Sequence, residues 1–137
     1  MGNLIEKIAP PTLPPLGAYS QGVKIDLGDK QMVLVTGQLA ADEAGQPLAP
    51  GDVEAQTHLV FKNIQTVLEA AGASLEDVVK AQIFLTDMEQ FATVSAIRNH
   101  YFAVAQPVST LVEINRTVIA GCDIEIEVMA IIDTAKT

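Results

Sequence analysis

Two hydrophobic periods alternate along the chain, one of two residues and one of three to four, with Gly and Pro between them. From Tyr19 to Leu27, Tyr19, Gln21, Val23 and Ile25 alternate with Ser20, Lys24 and Asp26, the period of a strand. Gly28-Asp29 supplies a turn, and Met32-Val33-Leu34-Val35-Thr36 is a continuous apolar run closed by Gly37, as in a strand covered on both faces. The pair predicts a hairpin. Past a polar loop with Gly45 and Pro47, Asp52 is placed to cap a helix. Its apolar positions Val60, Ile64, Val67, Leu68 and Ala71 recur at helical spacing, and Gly72 ends it. Val78 to Leu85 returns to alternation, Val79, Ala81, Ile83 and Leu85 against Lys80 and Gln82. Asp87 and Gln90 have capping-box spacing ahead of the stripe Phe91, Val94, Ile97 and Tyr101, a second helix that stops before Pro107. Thr110–Ile114 and Ile124–Ile132 read as strands, and the proline-rich Ala9–Pro15 as an extended arm packed on the domain.

This order predicts an α+β fold, one mixed sheet with two α-helices packed on one face. The sheet's other face carries Val35, Leu39, Leu111, Met129 and Ile131, which need cover, and self-association into a closed ring of identical subunits is the simplest source. With 137 residues, 49% hydrophobic and 18% charged, the chain has the size and balance of a single domain spanning 1–137. A formal net charge of −9 repels phosphate backbones and anionic lipid, so neither nucleic acid nor a membrane is an expected partner. Aromatic residues at 4%, with no Trp, leave few stacking platforms for bases and reinforce this. Cys122 is the single cysteine, which suits a reducing compartment, and with no leader or membrane span in the pattern the expected location is cytoplasmic. His58 and His100 are too far apart in sequence for a metal-ligand pair, so no metal site is expected.

Glycine-rich nucleotide loops, zinc-protease motifs and the hydrolase elbow are all missing from the sequence. The polar residues that stand out lie inside apolar strand patterns: Tyr19, Thr36, Glu113, Glu125 and Glu127. A strand carboxylate among apolar neighbours can have its pKa raised and serve as acid or base. The plain alternative is that these glutamates face solvent or pair with Lys and Arg.

Five segments in order carry a resemblance: Gly17-Ala18-Tyr19-Ser20-Gln21-Gly22-Val23, Val35-Thr36-Gly37-Gln38-Leu39, Glu69-Ala70-Ala71-Gly72, Phe91-Ala92-Thr93-Val94 and Ile124-Glu125-Ile126-Glu127. In order and spacing they resemble the RidA (YjgF, L-PSP) family. The resemblance implies a chorismate-mutase-like fold assembled as a barrel-like homotrimer with a small-molecule cleft at each subunit interface. It also implies hydrolysis of reactive enamine and imine metabolites, such as 2-aminoacrylate and 2-iminopropanoate, to keto acid and ammonia without metal or organic cofactor. Position by position, Tyr19 matches the family's cleft tyrosine, Thr36 and Gly37 its cleft backbone, and Glu125 the glutamate that holds or activates water.

The chain departs from the family at Pro107-Val108-Ser109-Thr110-Leu111-Val112-Glu113, where active members read Pro-Ala-Arg-Ser-x-Val-Glu. Ser109 takes the place of the arginine that forks onto the substrate carboxylate, Leu111 a position often cysteine, and Ser95 an asparagine on the second helix. Ser95, Ser109, Thr110 and Leu111 are therefore the expected substrate-binding residues, in a more neutral and apolar cleft. A serine hydroxyl does not reproduce a bidentate guanidinium, and the lost charge-assisted contact is worth about 1.5–3 kcal/mol, or roughly 10 to 100-fold in affinity. Arg98, one turn beyond Ser95 on the same helix face, is a candidate substitute, whereas Arg116 has the opposite parity from Ser109. The expectation is a deaminase with an altered substrate range. The alternatives are a non-catalytic ligand-binding or regulatory trimer and, least favoured by the acidic charge, a ribonuclease or translation inhibitor of the L-PSP type.

Overall fold

The turn at Gly28, where φ is 100°, reverses β2 (Gly22–Asp26) into β3 (Lys30–Gln38), and the two strands pair antiparallel from Gly22↔Val35 to Asp26↔Gln31. This is the predicted hairpin. The computed structural model describes residues 4–134. It adds a strand that the sequence pattern does not predict, β1 (Ile5–Ile8), antiparallel to β2 at the sheet edge. The proline-rich arm thus runs between β1 and β2, and Tyr19 precedes β2 instead of opening it.

Helix α1 (Val53–Ala70) begins where Asp52 accepts a hydrogen bond from the Ala55 N–H at 3.0 Å, which satisfies one orphan donor of the first turn. Gly72, at φ 83°, follows its end in the left-handed conformation that glycine adopts without strain. Strand β4 (Val78–Leu85) leads to a 3₁₀ turn over Met88–Gln90, and Asp87 accepts from the Glu89 N–H at 3.0 Å. Asp87 therefore caps this turn and not α2 (Phe91–Tyr101) itself. Beyond α2 come β5 (Val108–Glu113) and β6 (Ile124–Asp133).

The six strands form one sheet in the order β1-β2-β3-β6-β4-β5. Only β4 and β5, joined through α2, run parallel, so the sheet is mixed and the fold α+β. In β6, Ile124, Ile126, Val128 and Ala130 are buried on the helix side, while Glu125, Glu127, Met129 and Ile131 alternate onto the other face. Val35 and Leu111 correct the expectation for that second face: Val35 is buried in the core and Leu111 packs against it, both on the helix side. Leu39 lies past β3, where its carbonyl accepts from Asn63 of α1 at 3.1 Å. Met129 and Ile131 remain, joined by Val23 and Leu34.

Phe61 of α1 anchors the helix layer, stacked on Tyr101 of α2 with ring centroids 4.4 Å apart and edge-on to Phe102 at 5.3 Å. His58 bonds the Tyr101 hydroxyl through Nδ1 at 2.8 Å, so it is a packing residue between the helices. Phe61 is fully buried, and Phe61→Ala is expected to cost about 3–5 kcal/mol of stability, read as a lower urea midpoint at unchanged slope. No described helix is long and apolar enough to cross a membrane.

Candidate functional site

Between Val35↔Val128 and Gln38↔Ile126 the β3–β6 register slips, so that Thr36 and Gly37 together oppose the single residue Glu127. This β-bulge bends the strand and re-aims its groups. It is fastened from the segment before β2. The Thr36 N–H donates to the Gln21 carbonyl at 2.9 Å and its hydroxyl to the Ser20 carbonyl at 2.6 Å, and the buried Gln38 amide donates to the Gln21 side-chain oxygen at 2.8 Å. Gln21 and Gln38 were not singled out by sequence; two glutamines in strand patterns give no chemical signal until their partners are known.

Glu125 lies on the uncovered face of β6, across from Phe84 of β4, with its carboxylate against the α-carbon of Gly37. A methyl group there would overlap that carboxylate. The residue is half-buried, and burial first, then the nearby negative charge of Glu127, pushes its pKa above the ordinary glutamate value. A carboxyl so placed is a candidate acid or base. Tyr19 and Gly37 line one cleft of about 300 Å³, whose wall includes Leu13, Leu16 and Leu39. The Tyr19 hydroxyl accepts from the Leu16 N–H at 3.2 Å, which leaves its own proton to donate. Glu125 thus meets the bulge formed by Thr36 and Gly37, while Tyr19 lies on a cleft that Gly37 also lines and whose wall does not include Glu125.

The other predicted residues do not join them within one chain. Ser109 pairs in register with the core residue Ala81, and Leu111 with Ile83, so both lie on the helix side of the sheet. Ser109 lines a cavity of about 490 Å³ with Arg98, Asn99 and Phe102 of the α2 end. Ser95 belongs to this second group, its hydroxyl accepting from Arg98 Nη2 at 2.9 Å. Thr110 pairs with Gln82 on the uncovered face, and its carbonyl accepts from the Gln82 side chain at 3.1 Å. Glu113 accepts from the Met88 N–H at 2.8 Å, a structural role. No cluster of His, Cys, Asp or Glu among the described residues is arranged to hold a metal ion.

The family model described as Endoribonuclease L-PSP matches residues 10–132. A RutC family protein of Pyrococcus horikoshii is 36% identical over 117 residues, 85% of this chain and 87% of that one. The 2-iminobutanoate/2-iminopropanoate deaminase of Mus musculus is 32% identical over 133 residues, 96% of this chain and 95% of the mouse protein. The crystal structure of the YjgF gene product from E. coli superposes with a TM-score of 0.78 at 33% identity, covering 91% of this chain and 97% of that one. A match over this much of the chain, with the sheet order and both helices accounted for, places the protein in the Endoribonuclease L-PSP family, the family of RidA and YjgF.

Proposed function

We propose that the protein is a hydrolytic deaminase of reactive enamines and imines, working as a homotrimer with Glu125 as the proton-transfer group. The single observation that carries this reading is the half-buried Glu125 carboxylate, set against Gly37 at the bulge on a sheet face with no helix over it. The carboxylate takes a proton from water as the water oxygen attacks the C=N carbon, forming a carbinolamine. The resulting carboxylic acid returns that proton to nitrogen, completing the carbinolamine; the carbinolamine's O–H proton then passes through the same carboxylate to nitrogen as the C–N bond breaks, releasing ammonia and the carbonyl product. Tyr19 has a free hydroxyl proton with which to orient the substrate from the cleft that it shares with Gly37. The likeness to the mouse 2-iminobutanoate/2-iminopropanoate deaminase supports this chemistry.

The two groups of candidate residues occupy opposite faces of one sheet, so a small substrate reaches both only where a second copy meets the first. The uncovered face carries Val23, Leu34 and Met129 around Lys80, Gln82 and Glu127, in a cavity of about 310 Å³, and burying it against identical copies provides that meeting. Ser109 in the arginine position alters the substrate range, because recognition can no longer rest on a guanidinium borne by β5.

The test generates a panel of imines and enamines in situ with an amino-acid oxidase or a lyase and follows their decay with and without the protein. Acceleration with stoichiometric ammonia release is expected. A folded trimer that accelerates none of them, yet is thermally stabilised by a panel member, is a ligand-binding assembly instead. Ser109→Arg puts a guanidinium on β5 and is expected to shift preference toward 2-iminopropanoate over the bulkier members of the panel, read as the ratio of their rates.

A further inference from the structure

The cavity between the end of α2 and the start of β5 has the donors of an anion site and no acid. Arg98 is half-buried there and is held by neutral acceptors: Nε and Nη2 each donate to Asn99 Oδ1 at 3.2 Å, and Nη2 also donates to Ser95 Oγ at 2.9 Å. These bonds fix the plane of the guanidinium and leave both N–H groups of Nη1 unused within the described residues. In a chain with 17 acidic residues, none of those described forms an ion pair with this arginine. No Asp or Glu lines the cavity. The Asn99 side-chain NH₂ and the Ser109 hydroxyl add neutral donors, while Phe102, Ala103 and Pro107 form an apolar wall. The connection is drawn tight by Gln106, at φ 45°, whose N–H donates to the Phe102 carbonyl at 2.9 Å and brings Ser109 opposite α2.

We infer that Arg98 is the carboxylate-binding residue of this protein, taking from α2 the cation that β5 lacks at Ser109, so that the substrates remain small carboxylates with a short apolar tail. The choice of 2-imino acids within that class rests on the deaminase reading. A guanidinium with one free edge, held by two neutral struts, is preorganised for an anion and loses little freedom on binding. It lies a strand-to-helix displacement away from Ser109, so the carboxylate it captures is presented differently from one held on β5 itself. That displacement is a physical basis for an altered range.

The test uses the full chain and two stable probes, 2-oxobutanoate and its neutral analogue 2-oxobutanamide, titrated by calorimetry into wild type, Arg98→Met and Arg116→Met. Arg116→Met changes net charge equally but lies in an exposed loop. Arg98→Met is expected to weaken 2-oxobutanoate about 10 to 100-fold while leaving 2-oxobutanamide within two-fold, and Arg116→Met to leave both unchanged. Equal weakening by the two variants, no loss in Arg98→Met, or no 2-oxobutanoate binding by wild type overturns the inference. Imine turnover that survives intact in Arg98→Met removes this site and leaves the deaminase standing. Arg98-dependent binding of 2-oxobutanoate without turnover of any imine does the reverse.

Discussion

Glu125→Gln is expected to lower imine hydrolysis by about 10² to 10⁴-fold, the range for removing a positioned general base, while fold and oligomeric state stay those of the wild type. Glutamine keeps the shape of the side chain beside Gly37 and removes its ability to accept and return a proton. The measurement is steady-state ammonia release, paired with size-exclusion and thermal melts on the same sample. Full activity in a folded Glu125→Gln variant would show that another group carries the proton. The pH dependence gives a second reading. Because burial and Glu127 raise the Glu125 pKa, the acid limb of the wild-type rate profile should fall off above the ordinary glutamate range. The sign for stability is fixed by the same shift. The folded state holds this proton more tightly than the unfolded one, so the stability that the protonated carboxyl contributes is complete below the unfolded pKa and is lost as pH rises through the folded pKa. Glu125→Gln abolishes that loss, and its melting temperature should gain on wild type as pH rises from the acid side to neutrality.

Gly37→Ala is expected to reduce activity by about 10²-fold with little change in stability. The new methyl overlaps the Glu125 carboxylate, the far end of a flexible side chain, which can swing aside at small cost to the fold. The displaced carboxylate no longer meets the water and the C=N carbon in register, and misplacement by about 1 Å is enough for a loss of that order. Kinetics and chemical denaturation of the same variant separate the two effects. A large drop in stability with proportionate loss of activity would mean that Gly37 serves the backbone of the bulge and not the space above it.

Much of this architecture was legible because strands and helices here obey one clean period each. The alternation of Ile124, Ile126 and Val128 with Glu125, Glu127 and Met129 placed the glutamates on the face away from the helices, and Asp52 and Gly72 marked both ends of α1. The bulge was not legible. Gly37 reads as the end of an apolar run, and only the slipped register with β6 reveals that β3 continues to Gln38. Within Met32–Val35 every residue is apolar, so parity is undefined in the sequence, and only the register with Val128 puts Val35 on the helix side. Strand β1 carries no sequence signal because it is an edge strand with Ile5, Glu6 and Lys7 all exposed, which leaves no alternation to read. Of the candidate residues, Thr36, Gly37 and Glu125 lie at the bulge and Tyr19 on a cleft that Gly37 shares, whereas Ser95 and Ser109 fall on the other side of the sheet. A linear sequence does not say on which face of the sheet each motif residue falls.

The position of β6 has a consequence for how the chain acquires its structure. It is the last of the six strands in chain order, yet it lies between β3 and β4 and hydrogen-bonds to both. The ribosome therefore releases two incomplete half-sheets, β1-β2-β3 and β4-β5, each with a bare inner edge, before the strand that joins them is available. Local hairpin and helix formation can proceed early, but the long-range ladders from β6 must wait for its emergence, and they carry the sequence-distant contacts that slow folding. During that interval the exposed edges of β3 and β4 are templates for pairing with other nascent chains. Efficient recovery of this protein should then depend on translation speed and chaperone supply late in synthesis, more than on the stability of the finished sheet.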